Sequence, residues 1–154
     1  MEYGIVTVSE KTLFARVIQF FTRSKWNHVA FYINGYGYNK VIAEMNLQGV
    51  RLYSLEEYCK NKDVVIHKNT PEISLRTALH FIIKNEDRKY DFLRTIFFFF
   101  KPKDINDKKK WNCIEFVEEL FKYQGVELFD GKKLTPGQIN KELSSDEDLI
   151  FLRK

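Results

Sequence analysis

No apolar run in the 154-residue chain exceeds five residues, as at Ile96 to Phe100, whereas a membrane-spanning helix needs ~18 or more. Cysteine is scarce: Cys59 and Cys113 alone cannot build a disulfide framework. The three histidines, His28, His67 and His80, are scattered, without the close ligand spacing of a zinc site. There is no Gly-x-Gly-x-x-Gly, no Walker-type loop and no His-Glu-x-x-His, so nucleotide and metal chemistry have no support, and no cofactor is expected. The first residues, Met1 to Val8, lack a basic region followed by an apolar stretch, so a secretory signal is not expected. Collagen, coiled coil, membrane channel and disulfide miniprotein are excluded.

What is present is a globular composition, 44% hydrophobic and 30% charged. The length suits one domain over residues 1–154, with no internal repeat or domain-length linker. Net charge is +4, and five lysines against two aspartates between Lys101 and Lys110 hold +3 of it. A nucleic-acid binder spreads its cations over a face with aromatics between them. Here they fall in a Pro-containing stretch that reads as a solvated loop. No nucleic-acid partner is expected, and an anionic polymer or membrane surface is the partner that Lys101–Lys110 could meet.

Hydrophobic periodicity predicts the elements. Tyr3 to Val8 alternates and is β-branched, a strand; Ser9 is placed to cap a helix carrying Leu13, Phe14, Val17, Ile18 and Phe21. Asn27 to Ile33 and Lys40 to Met45 read as strands around the Gly35-Tyr36-Gly37 turn, with a third at Val50 to Tyr53. Ser54 caps a short helix, Leu55 to Lys60, before a strand at Val64 to His67. Pro71 marks a helix start running to Lys84, and Tyr90 to Phe100 reads as an aromatic helix. Asn112 caps a helix through Tyr123 closed by Gly125; Thr135-Pro136 opens another, and Leu149 to Leu152 reads as a last strand. The fold class is α+β, a mostly antiparallel sheet with helices packed on it.

Three side chains stand out. Cys113 falls in the first turn of its helix, on one face with Val117, Leu120 and Gln124. Unpaired backbone N–H groups and the positive end of the helix dipole favour a thiolate there, the form that attacks carbonyl carbon. The same position suits a small buried hydrophobe, and sequence alone leaves both readings open. His28 shares a strand face with Ala30 and Tyr32, opposite the apolar Val29, Phe31 and Ile33. It can serve as a general base or simply be a half-exposed strand histidine. Glu44, on the neighbouring strand with Ile42, can reach an imidazole across the strand pair and orient it, or be an ordinary strand-end carboxylate. Cys59, among Glu56, Glu57 and Lys60, reads as structural; His67 and His80 read as packing or surface residues.

The order of these residues and their flanking segments resembles the circularly permuted branch of the NlpC/P60 (papain-like) superfamily, the YiiX-like amidases. The matching segments are Ser24 to Tyr32 around the histidine, and Glu44 through Gly49-Val50 with Ser54 to Tyr58. Lys89-Tyr90-Asp91-Phe92 resembles a Tyr-Asp-Phe signature, Trp111 to Val117 a nucleophile helix, and Leu134 to Gly137 the opening of a last helix. Asn27 stands where Ser or Thr is usual, Ile114 where a small Ser is usual, and the glycine common before Tyr-Asp-Phe is absent.

The resemblance implies a papain-like core and a cysteine hydrolase, an amidase or peptidase, cleaving amide bonds of bacterial cell-wall peptide. Cys113 is then the nucleophile, His28 the base and Glu44 the orienting group. Tyr90 would hold the oxyanion with the Cys113 backbone N–H. Two alternatives stand beside it. One is a lipid-directed acyltransferase or deacylase, which the Ile96–Phe100 run followed by Lys101 would suit, although that run reads first as a helix with its phenylalanines in the core and behind the basic loop; the other is a non-catalytic virion protein on the same scaffold. A cytoplasmic or virion-associated (bacteriophage) setting is expected, with a peptide or lipid amide as substrate and no membrane span.

Overall fold

A computed structural model of the chain describes residues 1–90 and 110–153, excluding the side chains of Tyr90 and Lys110. The aromatic helix expected after Tyr90, the Asp91-Phe92 part of the motif and nearly all of the lysine-rich stretch lie outside the described residues.

Along the chain run β1 (Glu2–Ser9), α1 (Leu13–Thr22), β2 (His28–Gly35), β3 (Tyr38–Asn46), β4 (Gly49–Ser54), α2 (Leu55–Tyr58) and β5 (Asp63–His67). Then follow α3 (Leu75–Lys84), the short β6 (Lys89–Tyr90) and β7 (Lys110–Trp111), α4 (Cys113–Lys122), a 3-10 turn (Leu128–Gly131), α5 (Pro136–Leu143) and β8 (Leu149–Phe151). Six strands form one sheet in the order β4-β3-β2-β1-β5-β8, every pair antiparallel. The first four make a meander, and β5 then crosses to the free side of β1. The fold is therefore α+β, as the strand and helix patterns predict.

Burial explains why the central strands read as nearly continuous apolar runs. On one face Ile5, Val29, Phe31, Ile33, Ala43 and Met45 meet α3, α4 and α5. On the other, Val6, Val8, Ala30, Tyr32, Ile42 and Val64 meet α2 through Leu55 and Tyr58. The face shared by His28, Ala30 and Tyr32 is thus a second core rather than an open surface. Strands covered on both sides lose the polar half of their alternation. Phe116 of α4 is fully buried against the first core, and truncating such a ring to alanine costs about 3–5 kcal/mol.

Two helix starts differ from expectation. Ser9 remains in β1, and Thr12 caps α1 by accepting from the Ala15 N–H at 3.1 Å. α3 begins at Leu75, capped by Ser74, rather than just after Pro71. The intervening residues are held extended because the Tyr3 hydroxyl donates to the Pro71 carbonyl and accepts from the Ile73 N–H. A tertiary contact from β1 thus overrides the local start signal.

Candidate active site

Strand register brings the first two candidates together. The β2–β3 ladder pairs Phe31 with Ala43; continued outward, it sets His28 opposite Asn46, with Glu44 on the diagonal of the same face. The His28 Nε2–H donates to Glu44 Oε2 at 2.7 Å. The Tyr58 hydroxyl of α2 donates to the same oxygen at 2.5 Å, and Asn46 Nδ2 donates to Oε1 at 2.9 Å. Asn46 also donates to the Tyr53 hydroxyl, so the carboxylate is anchored from β2, β3 and α2 together. Lys62 lies 3.9 Å over the Tyr58 ring.

These contacts set the ionisation of the pair. Burial disfavours the Glu44 charge, but the imidazolium, the His28 and Tyr58 hydrogen bonds and Lys62 outweigh it and hold the carboxyl near pKa about 2, down from 4.5. Burial likewise opposes a proton on His28, yet negative charge at Cys113 and at Glu44, with hydrogen bonds to both, lifts its pKa well above 6.5. Tyr58 is pushed up by burial beside the Glu44 charge, so it stays a donor.

Cys113 reaches this pair from the opposite side of the core. Asn112 caps α4 with a reciprocal capping box: its side chain accepts from the Glu115 N–H, and Glu115 accepts from the Asn112 N–H. This fixes where the helix begins and puts Cys113 at its first position. Val117 and Leu120 anchor the same face in the core. Cys113 is buried and lies close enough to His28 to raise the imidazole pKa. Since Nε2 is occupied by Glu44, Nδ1 is the ring nitrogen available to the sulfur.

Cys113 lines a groove of about 500 Å³ between α4 and the loop leading into α5. Ile114, Leu128 and Leu134 give it apolar walls, and Glu118 lies along it. Burial, then the charges of Glu115 and Glu119, raise Glu118 to about 7 against the pull of Lys122 and Lys133. Asn27 lines the same groove while 2% exposed. Its Nδ2 donates to the carbonyls of Glu10 and Lys25, but its buried Oδ1 has no hydrogen-bond partner.

The structure therefore brings together His28, Glu44 and Cys113. Tyr90 pairs through its backbone with Trp111, two residues before Cys113, and its side chain lies outside the described residues. Cys59 is half-buried at the end of α2 with its thiol pKa raised by burial. His67 is fully buried: its Nδ1–H donates to Asp148 Oδ2 at 2.8 Å, and Nε2 lies 2.9 Å from Thr7 Oγ1. Sequence reasoning did not pick out Asn46, Tyr58, Asn27 or Glu118 as site residues. Asn46 was reachable from the two-residue strand period linking it to Glu44, and Tyr58 from its place at the end of the matching short-helix segment. Asn27 was reachable as the residue before His28 in the matching segment, where Ser or Thr is usual; Glu118 carries no such signal.

Sheet and helices together define an α+β protein with a YiiX-like fold. Among solved structures the chain is similar to the crystal structure of the metalloprotein YiiX from Escherichia coli O157:H7, described as DUF1105. The match has a TM-score of 0.63 and 14% identity and covers 82% of this chain and 68% of that one. No family model matches the sequence, and no curated protein does.

Proposed function

We propose that this protein is a cysteine amidohydrolase or peptidase, acting on peptide amide bonds of the kind found in bacterial cell wall. One observation carries the reading: an imidazole held by a buried carboxylate lies beside a cysteine that opens the first turn of a helix and lines a groove.

In this reading the Cys113 thiolate attacks the amide carbon, and the carbonyl oxygen takes the negative charge. The helix-start N–H of Cys113 is the donor available to it. As the tetrahedral intermediate collapses, His28 Nδ1–H passes its proton to the departing nitrogen, and an amine leaves behind a thioester. His28, now neutral, takes a proton from water as that water attacks the thioester, and breakdown releases the carboxylic acid and Cys113. Glu44 keeps Nε2–H pointed away from the sulfur throughout, while Tyr58 and Asn46 keep Glu44 still.

The structural neighbour is titled a metalloprotein. Among the described residues here no three His, Cys, Asp or Glu side chains converge as a ligand set, and the Nε2 of His28 is already taken by Glu44. The described side chains do not form a metal centre. The apolar walls formed by Ile114, Leu128 and Leu134 favour a second reading, in which the acyl group transferred or released comes from a lipid.

The deciding experiment compares wild type with Cys113→Ala on muropeptides and on acyl lipids, alongside iodoacetamide labelling at neutral pH. Amine release from muropeptides that is lost in the variant supports the first reading, and acyl loss from lipid the second. Turnover unchanged in Cys113→Ala, with Cys113 labelling no faster than Cys59, would sink both.

A further inference from the structure

The helix α1 carries apolar side chains on its outer side as well as its inner one. Its buried residues are Ala15 and Ile18, whereas Leu13 is 82% exposed and Phe20 78%. Leu13, Val17 and Phe20 follow the i, i+4, i+7 rule and form one stripe, with the exposed edge of Phe21 beside it. A surface helix of a globular protein puts its large apolar residues inward; this one buries Ile18 but also presents Leu13 and Phe20 to solvent.

The charges around the stripe have one sign. Residues Lys11 to Lys25 contain four cations and no aspartate or glutamate. Lys11, Arg16 and Arg23 are exposed and form no ion pair among the described residues; Lys25 is shared with Asp63 at 3.7 Å. Arg16 lies along the edge of the stripe by helix geometry.

We infer that α1 is an interfacial element that docks this protein on anionic lipid bilayer, with Leu13, Val17 and Phe20 entering the acyl boundary and Lys11, Arg16 and Arg23 meeting headgroup phosphates and carboxylates. A basic helix with an exposed apolar stripe has this chemistry. A second copy of the chain is a poorer occupant, since a two-fold contact on this face would bring like charges together. The docking surface is distinct from the Lys101–Lys110 stretch and stands whether or not the hydrolase reading does.

The element is rigidly joined to the candidate site. Gln19 Nε2 donates to the Lys25 carbonyl at 2.7 Å, and Asn27 Nδ2 donates to the same carbonyl and to that of Glu10. These bonds tie α1 across both ends of its connection to β2, next to His28. Ile18, on the inner face of α1, lines the groove that holds Cys113. Docking through the stripe therefore brings the groove close to the membrane surface.

The test is co-sedimentation of the full chain with phosphatidylcholine vesicles, with and without phosphatidylserine. The protein should pellet with the phosphatidylserine vesicles and be released by high salt. Leu13→Ser/Phe20→Ser should stay in the supernatant with an unchanged thermal melt, because both side chains are already exposed. Arg16→Glu, a change of two charges at about fivefold each, should bind roughly 25-fold more weakly. Wild type that stays in the supernatant, or a double variant that pellets as well as wild type, overturns the inference. So does a wild-type dimer in sedimentation equilibrium that the double variant abolishes, because the stripe would then be a self-contact.

Discussion

Glu44→Gln probes the centre of the site. The Glu44 carboxylate accepts from three donors, His28 Nε2, the Tyr58 hydroxyl and Asn46 Nδ2. A glutamine has one accepting oxygen, so its amide N–H must face at least one of those donors, and a buried donor is left unpaired. The fall of the Glu44 pKa from 4.5 to about 2 is worth about 3 kcal/mol in favour of the charged folded form, at ~1.4 kcal/mol per pKa unit. Because the folded pKa is depressed, that contribution is fully present above pH 4.5 and is lost as pH falls toward 2. His28 has the opposite sign. Its folded pKa is raised, so its contribution is fully present below pH 6.5 and is lost as pH climbs through the higher folded value. The two describe one interaction and do not add. Urea unfolding followed by tryptophan fluorescence should show wild type more stable than Glu44→Gln by about 3 kcal/mol near pH 5.5, with the gap closing toward pH 2. In an NMR titration of labelled histidine, His28 should release its proton at lower pH in the variant. A gap that stays constant with pH, together with an unmoved His28 titration, would refute the coupling.

Three further outcomes follow from the packing. Tyr58→Phe keeps the ring under Lys62 but removes the donor to Glu44; it should cost about 1–2 kcal/mol in urea unfolding and raise the Glu44 pKa. An unchanged midpoint would mean the hydroxyl does not hold the carboxylate. His67→Leu leaves Asp148 facing an apolar group and should cost about 3 kcal/mol. Amide exchange should quicken in β8, beyond Asp148, and equal protection in both proteins would show that this buried pair does not hold the last strand. Gly137→Ala places a Cβ 2.7 Å from Ser24 Cβ. The crowding, about 1–3 kcal/mol, should exceed the gain in helix propensity, and Ser24→Gly should restore the thermal midpoint. Failure of that rescue would mean the Ser24 contact is not the cause.

Local signals in the chain were sufficient for most elements. Asn112, Thr135 and Ser54 cap where their side chains allow, because a cap depends on three or four consecutive residues. The strand period put Glu44 on the face away from Ala43 and Met45 for the same reason. The apolar pattern of α1 was equally legible, yet its meaning was not: periodicity records that a stripe exists and says nothing about which side the sheet lies on.

By itself the sequence determined the α+β class, the position of Cys113 at a helix start and the spacing that lets His28 and Glu44 share a strand face, all of them consequences of short-range backbone geometry. Only the tertiary structure decided that Tyr58 closes on Glu44, that β1 delays the start of α3 through Tyr3, that His67 is buried with Asp148, and that α1 shows its phenylalanine to solvent. Each of these joins groups far apart along the chain or from different elements, and their distances are set by the register and packing of the sheet, which no local window of residues contains.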